Sequence, residues 1–171
     1  MKALRFPRPL VGVAFAVPLR GHFHLFDTPL VDRAIDCHLT IELEGMRQSV
    51  LHRVGRVSGW VTASGIARAP VLDGAVTYRE ASEGQAIVTF RFAREGEPRP
   101  DDTVTLRGFV EILPVAPLAT ATTMPFSLYS ASDQEIGRGV MRFDLRGDLG
   151  RVVRSLRPRL RIGRTSEGPG T

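Results

Sequence analysis

The chain has 171 residues, 43% hydrophobic and 24% charged, a balance that fits one globular domain and excludes a disordered polymer. Its single cysteine, Cys37, excludes an internal disulfide, so the fold must rest on packing. The net charge of +5 is localised: residues 1–150 hold 17 basic and 17 acidic side chains, and the excess lies in the last 21 residues, where six arginines face Glu167 alone.

A basic tail of this kind reads as a solubilising segment rather than a nucleic-acid contact. Lys2 is the only lysine, and such near-exclusive use of arginine reflects base composition rather than phosphate recognition. At the other end, Lys2, Arg5 and Arg8 precede an apolar run over 10–19, and Ala14-Phe15-Ala16 has the small-x-small form of a cleavage site, the outline of a signal peptide. Pro9 and Pro18 interrupt that run, so it is read as a first β-strand of a cytoplasmic protein. No stretch approaches the roughly 20 apolar residues of a membrane-spanning helix.

Alternation then dominates. After a strand over 10–17, Ile35, Cys37, Leu39, Ile41 and Leu43 alternate with Ala34, Asp36, His38, Thr40 and Glu42, which sets one row against a core and the other toward water. Further strands are predicted over 54–61, 75–80, 86–92, 104–112, 124–130 and 136–143. Turn signals separate them at Asp73-Gly74, at Glu83-Gly84, across 95–102 and at Ala131-Ser132-Asp133. The period changes once. Leu145, Leu149, Val152, Val153 and Leu156 fall on one helical face, with Asp144 or Asp148 as cap and Pro158 as stop, which predicts an amphipathic helix over 145–157 packed on the sheet. Residues 1–158 thus form one domain and 159–171 a basic, solvated tail. Eight consecutive strands with no helices between them are antiparallel, and they hide their edges in a closed barrel or a two-layer sandwich, the barrel being favoured.

The chemistry-bearing residues are sparse. Gly137-Arg138-Gly139 lacks the third glycine of a dinucleotide fingerprint, having Arg142 in its place, and it lies within a strand, so no cofactor seat is predicted. His22 and His24 share a strand face, but a zinc site needs three or four protein ligands and no third accompanies them. Cys37 and His38 point to opposite faces, which rules out a thiolate–imidazole dyad between them; Asp36 and His38 share one. The residues able to act as an acid or base are His52, His38, Asp36 and Tyr78. Phe90, Phe92, Trp60 and Phe109 read as core aromatics and as the lining for an apolar ligand.

Several segments together resemble a known module. Leu51-His52-Arg53-Val54-Gly55-Arg56-Val57-Ser58-Gly59-Trp60-Val61 resembles the His-Arg…Gly-x-Val stretch of an accessory domain. That domain accompanies large actinobacterial flavoproteins of the glucose-methanol-choline oxidoreductase family, in its cholesterol-oxidase-like branch. The resemblance continues through 74–78, Val88-Thr89-Phe90-Arg91-Phe92, Gly108-Phe109-Val110-Glu111-Ile112, Thr122-Thr123-Met124 and 136–143. Here one residue more separates Arg53 from Gly59, Val110 stands where that domain often has lysine, and Leu118-Ala119-Thr120-Ala121 replaces an aromatic–acidic pair. The flavin-binding portion is missing, so the resemblance implies no oxidase activity. It implies an accessory module beside steroid- or lipid-processing enzymes.

Three functions follow as expectations: a module binding a steroid- or lipid-like molecule or an oxidoreductase partner; a small-barrel isomerase or cyclase acting on an apolar substrate; and a structural subunit that docks a protein. The barrel interior discriminates among them. A cavity with converging polar groups favours the first two, and a filled core favours the third.

Overall fold

The computed structural model describes residues 10–43, 54–79, 85–95, 102–111, 122–144, 148, 150 and 153–161. Nine strands run in chain order: β1 Leu10–Leu25, β2 Thr28–Leu43, β3 Val54–Ala63, β4 Ala67–Arg79, β5 Gln85–Ala93, β6 Thr103–Glu111, β7 Thr123–Tyr129, β8 Glu135–Arg142 and β9 Arg157–Arg161. Each of the first eight pairs antiparallel with the next, and β8 pairs back onto β1, so they close a barrel. All eight stand where the alternation predicts them, although β1, β2 and β4 reach further than the pattern shows, and Asp73-Gly74, expected as a turn, lies inside β4 just past an irregularity in its pairing with β5.

The register fixes the barrel's width. A walk across the partners runs Val13, Leu43, Gly55, Val76, Val88, Gly108, Phe126, Gly139 and returns to β1 at Phe23, ten residues beyond its start. Eight strands enclose a space that side chains can just fill or that one small ligand can occupy. The inward rows fill it. Phe90, Phe92, Leu106, Leu128 and Met141 are 0% exposed, leaving no surface that a water molecule could touch from outside or from within. Glycines make room for the largest of these groups. A Cβ on Gly139 would stand 2.5 Å from Phe126 Cζ, and one on Gly108 2.6 Å from Met124 Sδ. Aromatic rings and thioethers therefore occupy the volume that the glycines leave open, as close packing requires.

Charge faces outward. Arg20, Asp36, Arg91, Arg107 and Arg138 project from the wall, the reverse of a transmembrane barrel with its apolar exterior. Among the described residues no helix is long and apolar enough to cross a membrane.

The C-terminal segment departs from expectation. Asp148 N donates to Asp144 O at 2.8 Å, the first helical bond, which makes Asp144 the cap. Helix is found at Asp148, Gly150 and Val153–Ser155 and ends there. Leu145, Leu149 and Val152 lie outside the described residues. Val153 and Leu156 are exposed, so these two residues of the expected apolar stripe do not seat on the sheet. Residues 159–161, expected in the solvated tail, belong instead to β9, which pairs with β1 from Leu10↔Arg161 to Ala14↔Arg157. The physical reason lies in β1, whose edge is covered by β8 only from Arg20 to Leu25. Its remaining backbone groups need partners. β9 supplies them for 10–14, and Ala16 N donates to Ser155 Oγ at 2.8 Å. Pro18, on the same edge two residues further, has no N–H to satisfy, which is where a proline is tolerated in a sheet.

Candidate functional site

The outer wall of β8, β1, β2 and β3 carries a groove of roughly 720 Å³. Register places two outward rows across it. One runs Arg142, Arg20, Asp36, Thr62, and the other Val140, His22, Ala34. The short side chain of Ala34 leaves the floor low between charged walls. Arg20 Nε stands 3.6 Å from Asp36 Oδ2, and His22 Nδ1 stands 3.3 Å from Asp32 Oδ2. Asp36 Oδ1 meets His38 Nε2 at 3.4 Å without hydrogen-bond geometry. Arg142 makes no ion pair among the described residues. All of these groups are well exposed, where such pairs contribute little to stability.

A large irregularity in the β1–β2 hairpin borders the groove. Phe23 pairs with Arg33 and Leu25 with Thr28, so Pro29, Leu30, Val31 and Asp32 all stand opposite the single residue His24. The four bulge outward, and Leu30 is 98% exposed. Arg33 fixes the base of the bulge by donating through Nη2 to Thr28 Oγ1 and through Nη1 to Ser64 O, at 3.3 and 3.4 Å. The protrusion is thus held in place. Sequence reasoning passed over it. The available signal was the adjacent pair Leu30-Val31 beside Pro29, which breaks the alternation that begins at Arg33.

Of the sequence-predicted acid–base residues, the structure places Asp36 and His38 together. They are neighbours on open wall, with Arg20 on the other oxygen of the Asp36 carboxylate. His52 lies outside the described residues, and of Tyr78 only its backbone place on β4 opposite Ala86 is described. Phe90 and Phe92 are sealed in the core, their rings 6.2 Å apart between centroids. Trp60 and Phe109 are on the outside, 45% and 41% exposed, because their parity along β3 and β6 is opposite to that of buried Val61 and Leu106. The four aromatics therefore cannot line one ligand cavity, and Trp60 and Phe109 are not core. Among the described residues no group of three His, Cys, Asp or Glu side chains could hold a metal ion.

Elsewhere on the wall, Arg91 makes a two-pronged contact with Asp73 at 2.7 and 2.8 Å, and its hydrogen bonds hold the Asp73 carboxyl below the usual range. Arg138 and Ser127 pull Glu135 down to about 2. These pairs fix side chains on the surface and show no catalytic arrangement. Cys37 is sealed within the barrel, and burial, aided by the charge of Asp36, pushes its thiol up to about 12. It should therefore stay inert to a thiol reagent at pH 8 and react fully in denaturant. Rapid stoichiometric modification of the native protein would show that the barrel opens.

The class is a closed eight-stranded antiparallel barrel with a packed interior and a grooved outer wall. No family model, curated protein or solved structure matches the chain.

Proposed function

We propose that this protein is a non-catalytic docking module that engages a protein partner through the outer wall formed by β8, β1, β2 and β3. One observation carries the reading: the interior is filled, with Phe90 and Phe92 offering no surface to a ligand, while the wall carries a wide groove beside a rigidly based apolar protrusion. A barrel that bound a steroid or an acyl chain would leave that space inside. Proteins that expose large apolar side chains in contiguous patches use them for contact, and Leu30 and Val31, next to Asp32 of the groove, are exposed large apolar neighbours.

The test is a photo-crosslinking residue placed at Ala34, on the groove floor, in the full-length chain inside its own cell. The same residue at Thr77, exposed on the β4 wall, is the control. Polypeptide adducts are expected at position 34 and not at 77. Equal labelling at both, or none at either, would sink the reading.

A further inference from the structure

We draw no further inference here: the strongest candidate, the pair of arginines Arg20 and Arg142 set directly opposite each other across β1 and β8, belongs to the groove already described and has the carboxylates of Asp36, Asp144 and Asp148 beside it, so its charge does not single out an anionic ligand.

Discussion

Phe90→Ala should destabilise the protein by about 3–5 kcal/mol, the usual loss for a buried phenylalanine cut to alanine. Phe90 is among the groups without any exposed surface, beside Phe92 and against the Cα of Gly74, where a Cβ would lie 2.8 Å from the ring-bearing carbon. Strand ladders hold the backbone on both sides, pairing Phe90 with Gly74 and with Leu106, so the wall cannot collapse into the space that the ring leaves. A cavity must therefore remain, dry and apolar, of the kind that takes up benzene or xenon. This gives the variant a second readout. Wild type should show no rise in melting temperature across a panel of steroids, fatty acids and benzene, whereas Phe90→Ala should gain stability with benzene by mass action. Denaturant melts of both proteins, with and without benzene, check it. A wild type already stabilised by a steroid would show that the interior admits ligand, and the docking reading would fail with it.

The strands were legible because period-two alternation is a direct imprint of one buried face. Ile35, Cys37 and Leu39 are buried while His38 is exposed, as the pattern along β2 requires. Closure was legible only as a choice between barrel and sandwich, since the pairing of β8 with β1 joins residues more than a hundred positions apart and leaves no local mark. Shear was not legible at all. It is the stagger of ten residues that sets the interior width, and the size of the inward side chains then decides between a ligand cavity and a solid core. Parity did hold the answer for the aromatics: Phe109 lies between Gly108 and Val110 of the inward row, which placed it outside. The groove escaped the sequence because it is assembled from three separate hairpins whose outward residues, taken singly, are ordinary surface charges. The bulge at 29–32 escaped because four residues opposite one is a property of the pair of strands, not of either.

Truncation after Leu156 should lower the melting temperature by roughly 5–15 °C, even though it deletes a segment that looks from its sequence like a charged appendage. The cut removes β9, and with it the antiparallel ladder from Leu10↔Arg161 to Ala14↔Arg157. Each net ladder bond is worth about 0.5–1.5 kcal/mol, and a buried donor or acceptor left without a partner costs more than the bond was worth. Ala14 is buried and pairs with Arg157, so the cut removes its neighbour on that side. Ser155 survives the cut, but it loses the strand that follows it, and its hydrogen bond to Ala16 N should weaken as well. For a domain of this size each kilocalorie corresponds to about 2–4 °C, which gives the expected range. The control is truncation after Arg161, which leaves the described ladder intact and removes one arginine and one glutamate, so any effect it has is electrostatic and fades with salt. Scanning calorimetry of the three proteins separates the cases. If truncation after Leu156 is thermally silent, β9 contributes nothing to the fold, and the edge of β1 at 10–14 must be satisfied by water alone.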